Sequence, residues 1–396
     1  MSMANREDQK RDMDRVFARI EALTPEYENL WERICSFETP SDDKAALDEQ
    51  TRYLAAYAKA SGFRVTEYPF PRAGNCLTAE TKGGEPPRIA LLAHLDTVHP
   101  VGSFGDTPVR RDGDTLRGPG VIDCKGGACV ALLAARALME VEAAPPPIRV
   151  ILTTDEEVSA RYSGPEGVAF IQDQARGVEA AFNCETGLAG YLTVGRKGII
   201  RLEIDVRGKA GHAGNDYFLG VSAIKEAAHK ILAIEELSSP EGATFNCGVI
   251  AGGTKANVIP GQCRFEVDIR GKTLAVLEQA LEQVKAVAEK SFLPGTAATV
   301  RILSRRPPME HTAETDRLFE KVCAVSRRYG LEEVKPKEKG GGSDSAYLIQ
   351  LGIPTLCSFG PTGTGEHTVA EQAYIPSLQG RAKLLAASIM EVTAGE

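Results

Sequence analysis

Apolar runs of strand length alternate along the chain with segments whose apolar residues recur at helical spacing. Such an alternation predicts an α/β fold with a mostly parallel sheet and helices on both of its faces. The runs predicted to be strands are RVTEYPF, NCLTAET, RIALLAHLD, IRVILTTDE, AAFNCE and PTLCSFG. The segments predicted to be helices are ALDEQTRYLAAYAKA, ACVALLAARALMEV and SLQGRAKLLAASIMEV.

The stretch from about Gly198 to Ser304 has a different order of elements. Its patterns predict strand, helix, strand, strand, helix and strand, which is the βαββαβ order of ferredoxin-like domains. We therefore predict two domains, a main domain formed by residues 1–196 and 305–396 and a second domain, 197–304, inserted into it.

Composition and charge exclude several classes of protein. The chain has 396 residues, of which 43% are hydrophobic and 25% charged, as in an ordinary globular protein of about two domains. The net charge of -8 is spread without a basic block, so neither nucleic acid nor a membrane surface is expected as a partner. The N-terminus has no apolar signal-peptide region, and a cytoplasmic location is expected. The nine cysteines are scattered without a C-x-x-C pair, which argues against a disulfide framework and a thiolate zinc site.

The strand RIALLAHLD ends in two residues that suit a metal site. In a parallel sheet, ligand crevices open at the carboxyl ends of the strands. Residues two apart on a strand face the same way, so Asp96 can accept the ring N–H of His94 while the other ring nitrogen binds a metal. A solvated surface pair explains this H-x-D pattern equally well when it is taken alone.

Further acidic and imidazole groups follow the ends of other predicted strands. Asp123 in GPGVIDCKGG stands before a helix, where an Asp is more often a cap. Glu185 follows AAFNC, and His367 lies in the Gly-rich loop GTGEHTVAEQ, where a histidine is usually just exposed. As a set, these residues and the DEE triplet of TTDEEVSA describe a two-metal hydrolytic site whose ligands suit zinc. In the triplet, one Glu is expected to bind metal and its neighbour to act as general base, whereas Asp155 is expected to be structural.

The order of these motifs resembles that of the dinuclear zinc aminoacylase and carboxypeptidase family. This family includes glutamate carboxypeptidase, succinyl-diaminopimelate desuccinylase, acetylornithine deacetylase and the tripeptidases. The resemblance begins at about Leu30, and RPPME, GGGSD and GGTKANVIP are most similar to the glutamate carboxypeptidase branch. Thr186 departs from the branch, which usually has proline or another small residue after the ligand Glu. The motifs that carry the resemblance are AHLDTV, GVIDCKGG, TTDEEVS, NCETG, GKAGHAG, GVIAGGTKANVIP, EVDIRG, RRPPME, KGGGSDSAY and GEHT.

The resemblance implies two zinc ions per subunit, although cobalt or manganese would fit the same ligands. It makes Glu156 the general base and Asp96 the residue that orients a ligand histidine. The ligands that it implies are Asp123, which bridges the ions, His94 and Glu185 on one ion, and Glu157 and His367 on the other.

For the inserted domain, the resemblance implies a lid that also forms the contact of a homodimer. His212 in GKAGHAG would reach the active site of the partner subunit and hydrogen-bond the oxyanion. Asn257 and Arg270 would hold the substrate, with the guanidinium of Arg270 forked onto a free carboxylate. The stretch KGGGSDSAY lacks the spacing of a P-loop, and Gly341 and Gly342 are expected to let the backbone pass close to the substrate.

The predicted function is a carboxypeptidase that hydrolyses the amide bond of a C-terminal amino acid, with glutamate as the first candidate, by means of a water that bridges two zinc ions. An N-acyl amino acid deacylase would use the same site, and the sequence does not separate the two activities. A tripeptidase would need a motif that captures a free amine, and none is seen. A non-catalytic binding protein is expected to have lost the base or a ligand. His99, His229 and His311 belong to no motif, and no role is predicted for them.

Overall fold

The computed structural model describes residues 3–81, 86–142 and 145–394. Within these residues, no helix is long and apolar enough to cross a membrane. The helices in the described ranges are α1 (Met3–Cys35), α2 (Lys44–Ala60), α3 (Lys125–Val141), α4 (Pro165–Ala175), α5 (Ala223–Glu235), α6 (Leu274–Glu289), α7 (Ala313–Tyr329), α8 (Ser345–Ile349) and α9 (Ser377–Thr393).

The strands include every run that the hydrophobic pattern predicts, together with several short strands that it does not. In chain order they are β1 (Arg64–Tyr68), β2 (Cys76–Glu80), β3 (Ile89–His94), β4 (Arg110–Asp112), β5 (Thr115–Arg117), β6 (Ile148–Thr153), β7 (Ala180–Asn183), β8 (Tyr191–Arg196), β9 (Gly198–Arg207), β10 (Gly211–His212), β11 (Thr244–Gly252), β12 (Val258–Ile259), β13 (Gln262–Gly271), β14 (Ala297–Arg306), β15 (Lys335–Lys339), β16 (Thr355–Cys357), β17 (Gly363–Thr364) and β18 (Gln372–Tyr374).

The chain divides into two compact units. The first comprises residues up to 194 together with 311–338 and 343–396, and the second comprises 195–310 and 339–342. The second unit extends past the predicted end at 304, because β14 continues beside β9 as far as Arg306.

The first unit is built on an eight-stranded sheet in the order β1-β2-β6-β3-β7-β16-β8-β15. Its central strands β6, β3, β7 and β16 run parallel, whereas β2 is antiparallel to both β1 and β6, and β8 is antiparallel to β16. Alternate residues of β3 enter different cores: Leu91 packs with the helices α1, α3 and α9, and Leu92 packs with α4 and α8. Both faces of the centre are therefore covered, which explains why its strands are continuous apolar runs.

The N-terminal helix α1 belongs to the core of the first unit, although the sequence analysis gave it no role. Val16, Ile20, Tyr27 and Trp31 form a stripe that is fully buried against α3 and α9. The indole Nε1 of Trp31 donates to the carbonyl oxygen of Val121 at 3.0 Å. Through this side chain, α1 holds the segment in front of α3. Truncation of a buried Trp typically costs about 3–5 kcal/mol of stability.

A charge cluster joins α1 to α3. The guanidinium of Arg136 donates to Glu140 at 2.7 Å and to Glu26 at 2.8 Å. Burial alone would raise the pKa values of both glutamates, but their hydrogen bonds, including those from Arg136, lower them below the ordinary value. Both carboxylates are therefore stabilised in the folded chain.

The second unit is a four-stranded antiparallel sheet in the order β11-β13-β9-β14, with α5 and α6 packed on one face. This is the βαββαβ arrangement that the sequence predicts. On β9 and β13, buried residues such as Leu202 and Phe265 alternate with more exposed ones, as expected for a sheet with one covered face. The strand β11 lies at an edge of this sheet.

Candidate active site

Three adjacent parallel strands of the first unit end beside one another and carry most of the predicted ligands. His94 is the last residue of β3 and pairs in register with Thr153, the last residue of β6. The turn after β6 carries Glu156 and Glu157, and Glu185 follows β7. The sheet thus brings these side chains to the same edge, as expected for parallel strands.

Asp123 lies between two imidazoles. Its Oδ1 is 3.1 Å from Nε2 of His94, and its Oδ2 is 3.1 Å from Nε2 of His367. A second carboxylate stands at each imidazole: Glu185 Oε1 is 3.8 Å from His94 Nε2, and Glu157 Oε2 is 3.3 Å from His367 Nε2. Two imidazole–carboxylate pairs therefore share one carboxylate, which is the arrangement of donors that a pair of neighbouring cations requires.

The loop that carries His367 is held by a small sheet that the sequence analysis did not predict. His367 lies between β17 and β18, and β18 pairs with β5, which precedes Asp123. The backbone of His367 has a φ of 63°, a conformation that non-glycine residues rarely adopt. Such outliers persist where the surrounding structure fixes the backbone, and they are common at functional sites.

Asp96 fixes the surroundings of His94. The Nδ1 of His94 lies 3.0 Å from the backbone oxygen of Asp96 and 3.4 Å from its Oδ1. The Asp96 carboxylate also accepts from the hydroxyl of Ser41 at 2.7 Å and from the amides of Glu156 and Glu157 at 3.2 and 3.1 Å. Asp96 therefore contacts the imidazole through its backbone and its side chain, and its carboxylate holds the turn that carries both glutamates.

The site concentrates negative charge in a buried place. The hydrogen bonds that the His367 imidazole donates to Asp123 and Glu157 raise its pKa to about 11. Burial and the charge of Asp123 raise the pKa of Glu157 well above its usual range. The raised pKa of Glu157 means that nearby positive charge does not fully compensate the two adjacent carboxylates. The donor set therefore fits cations at this position.

Cys124 is a further potential ligand, since its Sγ groups with His94 and Glu185. Burial raises the pKa of this thiol well above its ordinary value, and its Sγ accepts from the amide of His94 at 3.3 Å. The thiol also donates to the carbonyl oxygen of Cys184 at 3.5 Å, so backbone groups already hold its Sγ. The nine cysteines all lie in the described ranges and are all free.

Glu371 was missed by the sequence analysis, as was the role of His99. The carboxylate of Glu371 is 1% exposed and accepts from the backbone amides of Gly120, Ile122 and Asp123. Its Oε2 is also 3.0 Å from Nε2 of His99. Glu371 therefore holds the backbone of the loop that presents Asp123.

Asp155 and Gly127 support the site from outside. Asp155 accepts from the amides of Tyr162 and Ser163 and from the hydroxyl of Ser163, as expected for a structural residue. Gly127 lets the start of α3 approach the end of β7, since a Cβ there would lie 1.7 Å from the carbonyl oxygen of Cys184. The helix that follows Asp123 thus packs directly on the segment that leads to Glu185.

The chain is similar to several known proteins. A family model described as a peptidase dimerisation domain, M20_dimer, matches residues 194–296. Carboxypeptidase G2 of Pseudomonas sp. (strain RS-16) is 28% identical over 395 residues, which cover 98% of this chain and 94% of that protein. A succinyl-diaminopimelate desuccinylase of Gluconacetobacter diazotrophicus is 27% identical over 364 residues, which cover 84% of this chain and 89% of that protein. A tripeptidase structure from Staphylococcus aureus covers 94% of this chain and 99% of its own, with a TM-score of 0.79 and 20% identity.

The chain is therefore similar over most of its length to metallopeptidases and related amidohydrolases, and residues 194–296 match the M20 dimerisation domain. The match to carboxypeptidase G2 spans almost the whole chain, so the prediction that the resemblance begins at about Leu30 was wrong. Helix α1 escaped notice because charged residues surround its apolar stripe and Pro25 interrupts its pattern.

Two of the predicted residues of the second unit lie together. His212 pairs with Val258 between β10 and β12, and the amide of Ala213 donates to the backbone oxygen of Asn257 at 3.0 Å. The Nδ1 of His212 accepts from the amides of Gly214 and Asn215, both at 3.2 Å. A neutral imidazole that accepts at Nδ1 carries its proton on Nε2, so His212 presents an N–H donor.

The other predicted residues of this unit are held in separate contacts. Arg270 forks onto Asp268, with distances of 2.5 Å from Nε to Oδ1 and 3.0 Å from Nη2 to Oδ2. The carbonyl oxygen of Gly342 accepts from Nη1 of Arg196 at 2.8 Å, and that of Gly341 accepts from the same atom at 3.5 Å. A Cβ on Gly342 would lie 2.9 Å from the side chain of Arg306, so this position has no room for one, whereas a Cβ on Gly341 would meet nothing within 4 Å.

Proposed function

We propose that this protein is a carboxypeptidase, which hydrolyses the amide bond of a C-terminal amino acid at a centre of two metal ions. One observation carries the proposal: the two oxygens of Asp123 each lie 3.1 Å from a different imidazole, and each imidazole has a second carboxylate beside it. A site for one metal ion would not require a carboxylate that is shared between two imidazoles, whereas a site for two ions would.

The proposed ligands fit a pair of cations. His94, Glu185 and one oxygen of Asp123 would hold the first ion, and His367, Glu157 and the other oxygen would hold the second. Imidazole and carboxylate donors suit zinc, and cobalt or manganese would fit the same set. When bound, the cations would lower the pKa of a shared water and polarise the substrate carbonyl.

Glu156 is the proposed general base. Its carboxylate is buried, and its Oε2 lies 4.0 Å from Nε2 of His94. From this position it would accept a proton from the attacking water and deliver that proton to the leaving amine. Asp96 accepts from the amides of both Glu156 and Glu157, so the backbone positions of the proposed base and the proposed ligand would stay fixed relative to each other.

His212 and Arg270 are the proposed contributions of the second unit. The Nε2–H of His212 would donate to the carbonyl oxygen as negative charge develops there, an interaction typically worth about 3–4 kcal/mol. Arg270 would bind the carboxylate of the C-terminal residue, with Asp268 holding its guanidinium in orientation. Asn257, whose backbone is tied to the segment of His212, is proposed to contact the substrate beside it.

We also propose a homodimer formed through the second unit. Its edge strand β11 exposes Val249 and Ile250, and the loop after β10 exposes Tyr217, Phe218 and Leu219. An edge strand with exposed apolar side chains favours association, and pairing with the same edge of a second copy would cover it. In this dimer, His212 of one subunit would complete the site of the other.

The second candidate is an N-acyl amino acid deacylase, which the similarity to a desuccinylase favours. A panel of peptides and N-acyl amino acids, presented to protein freed of metal and then reconstituted with zinc, separates the two. A carboxypeptidase releases Glu or Asp from dipeptides faster than it releases acetate from N-acetyl amino acids. The opposite order would favour the deacylase, and no metal-dependent hydrolysis of any amide would contradict both.

A further inference from the structure

We propose that Ser41 is a positioning residue of the metal centre, which fixes the carboxylate of Asp96 and, through it, the imidazole of His94. The inference rests on the proposed metal-dependent hydrolysis and assigns to it a residue that is neither a ligand nor the base. Ser41 lies in the segment of residues 36–43 that joins α1 to α2, called here the α1–α2 connection. None of the sequence motifs described above includes this residue.

The contact between Ser41 and Asp96 is short and buried. The hydroxyl of Ser41 donates to Oδ2 of Asp96 at 2.7 Å. Ser41 is 5% exposed, and Asp96 is 0% exposed. A hydroxyl that donates to an ionised carboxylate makes a bond roughly twice as strong as one between neutral groups. This hydrogen bond therefore holds the carboxylate strongly in a place that water hardly reaches.

The two oxygens of Asp96 have different partners. Oδ2 accepts from the Ser41 hydroxyl and from the amide of Glu157 at 3.1 Å. Oδ1 accepts from the amide of Glu156 at 3.2 Å and lies 3.4 Å from Nδ1 of His94. The last torsion of an Asp side chain is soft, so the carboxylate keeps Oδ1 towards His94 only if its partners prevent it from turning. The Ser41 hydroxyl prevents this turning by holding the opposite oxygen.

The α1–α2 connection is itself held against the segment that follows β3. Oγ1 of Thr39 donates to the carbonyl oxygen of Leu95 at 2.8 Å, and the amide of Thr97 donates to the carbonyl oxygen of Thr39 at 2.9 Å. Pro40 also forms an isolated parallel bridge with Thr97. These contacts fix the register of the connection, and with it the position of the Ser41 hydroxyl.

Lys125 ties the same connection to the start of α3. The mechanism does not use this lysine, yet it is fully buried, and its Nζ donates to the carbonyl oxygen of Phe37 at 2.6 Å. A fully buried lysine is rare, because an ammonium group without partners is costly to remove from water. Lys125 is the first residue of α3 and follows Asp123 by two positions. The connection that carries Ser41 is thus joined to the segment that presents the proposed bridging ligand.

Loss of the Ser41 hydroxyl would leave Oδ2 of Asp96 with a single donor. The carboxylate would then turn more freely, and the imidazole of His94 would lose part of its fixed orientation. Removal of a group that orients a ligand histidine typically costs about 10–100-fold in metal affinity or activity. We expect the loss in metal affinity and in kcat, whereas KM should change by no more than about twofold, because Ser41 is not proposed to contact the substrate.

The test compares Ser41→Ala, which removes the hydroxyl, with Ser41→Thr, which keeps one. Zinc affinity is measured by competition with a chromophoric chelator, and the cobalt-loaded proteins are compared by their d–d absorption spectra, so neither readout needs turnover. Ser41→Ala is expected to bind zinc about 10–100-fold more weakly and to change the cobalt spectrum, and its kcat on the best substrate of the panel should fall at least about tenfold. Ser41→Thr is expected to retain the zinc affinity and kcat of the unmodified protein.

Ser388→Ala is the matched control, because it removes a buried hydroxyl that donates to the carbonyl oxygen of Leu384 within α9 at 2.7 Å. It should change neither zinc affinity nor kcat. Unchanged zinc affinity in Ser41→Ala, or a Ser41→Thr protein as impaired as Ser41→Ala, would overturn the proposal. Equal losses in Ser388→Ala would overturn it as well, since they would reflect a general loss of stability. The proposed function fails separately, if the unmodified protein binds zinc and hydrolyses no compound of the panel while the zinc affinities follow the expected order.

Discussion

Replacement of Glu371 by Gln is expected to loosen the loop that carries Asp123. The carboxylate of Glu371 is buried and has four donors. Its Oε1 accepts from the amides of Ile122 at 2.9 Å and Asp123 at 3.2 Å, and its Oε2 accepts from the amide of Gly120 at 3.0 Å and lies 3.0 Å from Nε2 of His99. One side chain therefore satisfies the backbone of the whole turn.

The size of the effect follows from the chemistry of the amide. Glutamine has one oxygen that accepts and one NH₂ group that donates. The two donors that face the oxygen would keep their acceptor, whereas the two that face the NH₂ group would lose theirs. Each lost hydrogen bond to a charged group costs about 1.5–3 kcal/mol. If the amide faces His99, the imidazole can change tautomer and accept from it, which lowers the cost. We expect a loss of about 2–5 kcal/mol in the free energy of unfolding.

Thermal unfolding and metal titration measure the result. At about 2 °C per kcal/mol, the unfolding midpoint of the metal-free protein should fall by about 4–10 °C. The affinity for metal should fall by about 10–100-fold, because the loop positions Asp123. Glu49→Gln, at an exposed site on α2, is the matched control and should change neither quantity. A lower midpoint with unchanged metal affinity would refute the positioning role, and an unchanged midpoint would refute the account of the hydrogen bonds.

The remaining predictions concern the metal ligands, the dimer and a charge cluster. Glu157→Gln should remove about one metal ion per subunit as measured by elemental analysis, since it removes one proposed ligand; full occupancy with near-normal turnover would contradict the assignment. A mixture of His212→Ala and Glu156→Gln proteins, each nearly inactive, should recover activity when subunits exchange, and a mixture that stays inactive although exchange is demonstrated would exclude action across the dimer. Arg136→Met should lower stability by about 1 kcal/mol at pH 7. Glu26 and Glu140, the partners of Arg136, have lowered pKa values in the folded chain, so the loss of stability in Arg136→Met should vanish as the pH falls through these pKa values. Denaturant titrations measure the free energy of unfolding at each pH, and a loss of stability that persists at low pH would contradict the prediction.

The strand ends of the site could be predicted because the apolar runs stop at polar residues. His94 closes β3, and the DEE triplet follows β6 directly. Parallel pairing then brings neighbouring strand ends to one edge, so sequence order is enough to gather these groups. The position of Asp123 between His94 and His367 could not be predicted in this way. It depends on a loop and on the small sheet around β18, whose strands are too short to show a hydrophobic period.

Glu371 and Trp31 could not be assigned from the sequence. The partners of Glu371 are mainly backbone amides about 250 residues away, and backbone groups leave no mark on a sequence. Trp31 donates to another backbone carbonyl, that of Val121. Both side chains act on the segment before α3, so the position of Asp123 depends on contacts that only the fold reveals.

Arg270 shows a further limit of sequence reasoning. The motif EVDIRG indicates a substrate-binding arginine, yet the structure pairs its guanidinium with Asp268 of the same motif. Residues two apart on β13 face the same way, so this pairing was readable from the spacing. A carboxylate that orients the guanidinium is compatible with the proposed role, which stays a prediction.

The central claim is that Glu156 acts as a base beside two metal ions and is not itself a ligand. Metal content and turnover, measured together on zinc-reconstituted Glu156→Gln protein, test it most directly. The account predicts two bound ions per subunit, as in the unmodified protein, and a fall in turnover of at least about 100-fold. Loss of an ion from this variant, or turnover near the unmodified rate with both ions bound, would contradict it.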